Sequence, residues 1–119
     1  MIRDLKPMFV VSPKIISFFE IFSPIAIGAI TLGPIVISKE PLSDSVKNHE
    51  TIHYQQYIEL FFIGFIILYL SFWIINLLRG MKGSEAYFNI PFEKEAYYND
   101  ANMEYLKDRK RYAWVKFVF

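Results

Sequence analysis

Asn48-His49-Glu50-Thr51-Ile52-His53-Tyr54-Gln55-Gln56-Tyr57-Ile58-Glu59, together with the run from Leu60 to Leu78 that follows it, decides how this chain folds. The first piece is polar and sets two imidazoles four residues apart, whereas the second has no charge between Glu59 and Arg79. Ser43 and Asp44 are suitable N-caps, so a helix is expected from Val46 to Glu59, running on into Phe61 to Leu78. About 20 apolar residues rising ~1.5 Å each just cover a ~30 Å hydrocarbon core, which makes residues 61–78 a transmembrane candidate. The alternative is a buried helical hairpin, because the run is short and contains Gly64.

Working outward toward the N-terminus, Lys39 to Asp44 is a polar connector containing Pro41. The β-branched stretch from Ile25 to Ile37 is broken by Gly33-Pro34 and predicts a bent strand or hairpin. From Met8 to Ser23 the chain is apolar and aromatic, with Ser12-Pro13 as a helix start and Pro24 as a stop. Asp4, Pro13, Lys14 and Glu20 interrupt the pattern of a cleaved secretory signal, so this segment is expected to be retained.

On the other side, Arg79 to Asn89 holds Gly80 and Gly83 and predicts a loop. A last helix is expected from Pro91 to about Arg109, with Glu93 and Glu95 in its first turn, where the helix dipole favours carboxylates. The tail from Lys107 to Phe119 interleaves bases with aromatics. That mixture suits a headgroup interface, or equally a basic turn followed by an aromatic strand packed on the core. The pattern as a whole predicts an α+β fold in a single domain, 1–119, with a strand or hairpin ahead of a long motif helix.

Composition narrows the function classes. The hydrophobic share of 54% exceeds the ~45–50% usual for a soluble domain, so some apolar surface is expected to face lipid or a partner. A net charge of +1 supplies no field for nucleic acid. With no cysteine, a metal must be held by histidine and carboxylate.

His49-Glu50-Thr51-Ile52-His53 matches H-E-x-x-H and contains both histidines of the chain. Residues four apart on a helix lie about 40° from each other, one turn up, so both imidazoles face one cation. Glu50 is offset by about 100° and suits a general base toward water on Zn2+. A catalytic zinc site needs a third protein ligand and an open position. Glu95 is the expected ligand, with Glu93 as runner-up, and Asn99, one turn after Glu95, is the expected partner for a ligand's second nitrogen. Gln56 shares the metal-facing side of its helix as a second partner or substrate contact. Tyr54, Tyr57, Tyr97 and Tyr98 are candidates to stabilise an oxyanion.

The element His49-Glu50-Thr51-Ile52-His53-Tyr54-Gln55-Gln56, with Ala29 to Ile37 before it and Phe92-Glu93-Lys94-Glu95-Ala96-Tyr97 after it, resembles small gluzincin-like zinc metallopeptidases of bacteria and phages. The resemblance covers about residues 25 to 112. It implies a minimal zincin-like domain with a third ligand at Glu95, Asn99 standing where Asp is more usual. It also implies a strand ahead of the motif, including Ala29, Ile30 and Thr31, that pairs with extended substrate. The expected function is hydrolysis of a peptide or small protein at a membrane-associated, cytoplasm-facing site. The competing readings are a non-enzymatic membrane protein with a structural or vestigial metal site, and a zinc hydrolase acting on another bond. A single crossing by residues 61–78 would separate His49 from Glu95, so the segment is expected to enter lipid partly, bend back near Gly64, or pack against the N-terminal stretch. Arg79 and Lys82 favour a cytoplasmic C-terminal end for it.

Overall fold

Gly33 reverses the chain at φ +60°, where a Cβ would be strained, and the hairpin expected around it forms. The computed structural model describes residues 6–22 and 28–118. In it β2 (Ala29–Leu32) and β3 (Ile35–Ser38), labelled in chain order, pair antiparallel with Leu32 opposite Ile35. A strand the sequence does not announce, β1 (Met8–Val11), pairs parallel to β3 and gives the order β1-β3-β2. Four residues are too few to display a period of two against an apolar background. Between them α1 (Pro13–Glu20) starts as expected: the Ser12 hydroxyl accepts the Ile15 amide and Pro13 takes the first turn. Pro24 and residues 25–27 lie outside the described residues.

The motif helix, α2 (Asp44–Glu59), is capped by Ser43, whose hydroxyl accepts the Val46 amide at 3.3 Å. It does not run on into the apolar segment. Phe61 and Phe62 take left-handed backbone angles, φ 55° and 62°, and α3 (Ile63–Leu78) leaves at 111° to α2. The expected continuous helix is therefore two. Among the described residues no single helix is long and apolar enough to cross a membrane. Left-handed angles cost about 1–2 kcal/mol per residue, and aromatic packing offsets them here. The Phe62 and Phe65 rings lie 5.9 and 3.9 Å from the Tyr57 ring, both tilted to it. The reversal, two residues before Gly64, brings α3 back into contact with α2.

Where a loop was expected, α4 (Gly83–Phe88) forms, anchored by buried Asn76, whose amide donates to the Ala86 carbonyl. The helix that begins at Pro91, α5 (Pro91–Asn99), stops well short of Arg109, and a separate turn, α6 (Tyr105–Asp108), follows. Asn48 of α2 ends it. Its amide nitrogen donates to the carbonyls of Asp100 and Asn102 at 2.9 and 3.1 Å, replacing bonds a longer helix would have made. The aromatic tail is neither strand nor free arm. It makes a 3-10 helix (Ala113–Phe117) whose Trp114 is buried 4.8 Å from Phe92. Tyr57, Phe65, Ile90, Phe92 and Trp114 thus form the main core, between α2, α3 and α5. The fold is α+β: a small three-stranded sheet with its helices packed around α2.

Candidate metal centre

α2 is the most buried helix of the chain, yet its buried side chains include Asn48, His49, Glu50, Thr51, His53, Gln55, Gln56 and Glu59. Charged and amide groups in an interior are nearly always paired, and apart from the Gln55 Nε2, which has no hydrogen-bond partner among the described residues, their partners describe the site.

The two imidazoles converge. Nε2 of His49 and Nε2 of His53 are 3.2 Å apart, and Oε1 of Glu93 lies 3.2 Å from the first and 3.0 Å from the second. All three residues are buried, and these atoms could hold a metal ion. The outer nitrogens are tied down. His49 Nδ1–H donates to Asp100 Oδ2 at 3.0 Å, and His53 Nδ1–H donates to Gln56 Oε1 at 2.7 Å. With both Nδ1 protons engaged, both Nε2 lone pairs point at the Glu93 oxygen, an arrangement that requires a cation or a proton among them. In the metal-free protein a proton takes that place. Burial opposes charge on His53, but Glu93 and Glu50 outweigh it and raise its pKa to about 9. Burial likewise disfavours the Glu93 anion, yet the imidazoles hold it well below the usual carboxylate range.

Glu93, and not Glu95, faces the histidines. The two are separated by two positions and so by about 200° around a helix, and packing turns Glu93 inward to α2. Its other oxygen accepts the Tyr69 hydroxyl from α3 at 2.7 Å. Glu95 points instead to Arg109, accepting from Nε at 2.6 Å and from the terminal NH2 nitrogen at 3.0 Å, while Glu59 takes the rest of the guanidinium. It still reaches the site at one remove. Gln56 Nε2 donates to Glu95 Oε1 and to the Phe92 carbonyl, and these two acceptors force the Gln56 oxygen toward His53. Glu95 thereby sets which His53 nitrogen keeps its proton.

Gln56 makes the contact to His53 that the sequence suggested, whereas Asn99 hydrogen-bonds to neither imidazole. Its amide donates to the Glu95 backbone carbonyl, closing the end of α5. The partner of His49 is Asp100, held by the Asn48 clamp. Asp100 stands seven residues after Glu93, two turns along the same face, a signal the sequence carries once Glu93 is taken as the ligand.

Glu50 is buried and its Oε2 accepts the Thr31 hydroxyl at 2.5 Å. With His53 and Glu93 it lines a cavity of about 470 Å³ to which β2 contributes Ala29, Ile30, Thr31 and Leu32. β2 is one of the two edge strands of the sheet. The Lys39 amide donates to the Gly28 carbonyl, so even-numbered residues of β2 bond inward to β3 and Ala29 and Thr31 turn their backbone groups outward. The Thr31 carbonyl takes the Tyr57 hydroxyl at 2.8 Å. Of the tyrosines singled out from sequence, Tyr57 lines the cavity. The Tyr97 ring packs 4.4 Å from His49, and Tyr98 is largely exposed. Tyr69 and Tyr87, inside the apolar run and the expected loop, line it too.

No protein-family model matches this chain, and neither a curated protein nor a solved structure matches it.

Proposed function

We propose that the chain is a zinc-dependent peptidase of gluzincin-like design, with His49, His53 and Glu93 as ligands and Glu50 as general base. The observation that carries this reading is the convergence of three acceptor atoms 3.0–3.2 Å apart behind tied Nδ1 protons. A tetrahedron with bonds of ~2.0–2.1 Å has edges of about 3.3–3.4 Å, so the three atoms fit one zinc ion after shifts of a few tenths of an ångström. The donor set, two imidazoles and one carboxylate without thiolate, is that of a catalytic site with one position left open. Zinc bound there would acidify water and polarise a carbonyl.

The chain's own residues supply the rest. Glu50 takes a proton from water and passes it to the leaving amine, and the Thr31 hydroxyl fixes the Glu50 carboxylate against β2. Asp100 and Gln56 keep both Nδ1 atoms protonated, and Tyr69 occupies the second Glu93 oxygen so that Oε1 alone faces the site. The outward backbone groups of Ala29 and Thr31 offer a strand edge to an extended peptide. Membrane association belongs to the same reading, supported by Ile63, Ile67, Ile74 and Leu78, a stripe on α3 outside the cavity that leaves half or more of each residue exposed.

The test is elemental analysis and peptide hydrolysis on purified wild type and Glu50→Gln. About one zinc per chain is expected in both, with hydrolysis in the wild type alone. Folded protein that takes up no zinc overturns the proposal.

A further inference from the structure

The cavity beside Glu50 presents two kinds of chemistry. One wall is backbone: the Ala29 N–H and C=O and the Thr31 N–H face away from β3, an alternation of donor and acceptor that an extended polypeptide completes. The other walls are apolar and aromatic, formed by Phe19 of α1, Phe22 just beyond its end, and Ile66, Leu70 and Trp73 of α3. Among the described lining residues the ionisable groups besides tyrosine are Glu50, His53 and Glu93, each already engaged in the site, and no lysine, arginine or aspartate is present. A charged side chain entering this space gives up water and finds no free counterion, and an acidic one also meets two carboxylates. A bulky apolar side chain covers Phe22 and Leu70, which are 75% and 50% exposed.

We infer that the peptide which the proposed function seats along β2 carries bulky apolar residues on both sides of the bond the site addresses, gripped between Phe19 and Phe22 on one side and Ile66, Leu70 and Trp73 on the other. This specificity rests on the peptidase reading and is distinguishable from it by binding. Fluorescently labelled peptides identical except for a central Leu-Phe, Ala-Ala, Lys-Lys or Asp-Asp pair are titrated by anisotropy into the zinc-loaded, full-length Glu50→Gln protein and offered in parallel to wild type for cleavage. Leu-Phe is expected to bind at least ~10-fold more tightly than Ala-Ala, and the charged pairs more weakly still. Leu70→Lys and Phe22→Ser, both at exposed rim positions, are expected to erase that preference while zinc content and circular dichroism stay unchanged. Equal or tighter binding of Lys-Lys or Asp-Asp, or no binding of any peptide to folded, zinc-loaded protein, overturns the inference. Selective binding of Leu-Phe without cleavage by wild type supports the inference and overturns the peptidase reading instead.

Discussion

Replacing Glu93 and Glu95 one at a time by Gln separates the proposed metal ligand from the structural anion. On the proposed reading Glu93 supplies one of three ligand atoms. Structural zinc sites with four ligands bind with about 10–16 kcal/mol, so one ligand is worth about 3 kcal/mol, or roughly 100-fold in affinity. In the metal-free protein Glu93→Gln strands no charge, because His53 then gives up its proton; only the stability linked to the raised His53 pKa is lost, and the effect on folding is expected to be smaller than that of Glu95→Gln. Glu95 is fully buried against Arg109, itself almost fully buried. Breaking a buried pair costs about 3–5 kcal/mol, and the low end applies because Gln keeps the shape and Glu59 still faces the guanidinium. A loss of about 3 kcal/mol lowers Tm by roughly 10 °C in a chain of this size. Zinc affinity by chelator competition and thermal unfolding with EDTA present read the two effects separately. A Glu95→Gln protein that loses zinc 100-fold beside a Glu93→Gln protein that keeps it would refute the ligand assignment.

Asp100→Ala frees the His49 ring and is expected to lower zinc affinity about 10–100-fold with α2 helicity unchanged; undiminished affinity in the same competition assay would remove Asp100 from the site. Gly33→Ala forces a Cβ into a φ +60° turn, 3.2 Å from the Phe62 ring, so a loss of about 1–2 kcal/mol is expected in denaturant unfolding, and an unchanged midpoint counts against the turn. His53, raised to about 9 by Glu93 against burial, holds its proton at pH 8 in the metal-free protein. Zinc needs the neutral ring, so uptake at pH 8 releases about one proton per ion and affinity climbs as pH approaches 9. Calorimetry in two buffers of different ionisation heat measures the release, and its absence would contradict the geometry. By the same shift, the stability that the charged His53 contributes to the metal-free fold is full below about pH 6.5 and fades as pH rises through about 9.

Local signals were sufficient for several elements. Ser12-Pro13 and Ser43 each cap a helix through one hydroxyl, Gly33-Pro34 makes a turn that other residues resist, and Pro91 opens α5. The imidazole pair and Glu50 were legible for the same reason: one helical turn determines their relation, and nothing distant can alter it. Gln56 belongs with them, three residues from His53. The α+β character follows from these pieces alone.

What lay more than a turn or two apart depended on packing. No residue type at Phe61 and Phe62 announces the break in the helix; their positive φ angles go with Phe62 packing both on the nearby Tyr57 ring and against Gly33 of the distant hairpin. The choice between Glu93 and Glu95 was open to any reading of α5 by itself, since opposite faces of one short helix are equivalent until neighbours arrive. Arg109, fourteen residues beyond Glu95, claims that carboxylate, and Tyr69 steadies the other. Asn48 terminates α5 from across the core and thereby delivers Asp100 to His49. Spacing along the chain settled which groups share a helical turn, whereas the partner of each buried charge was settled in three dimensions, because desolvation leaves an anion stable only beside the particular cation or donors the fold brings to it.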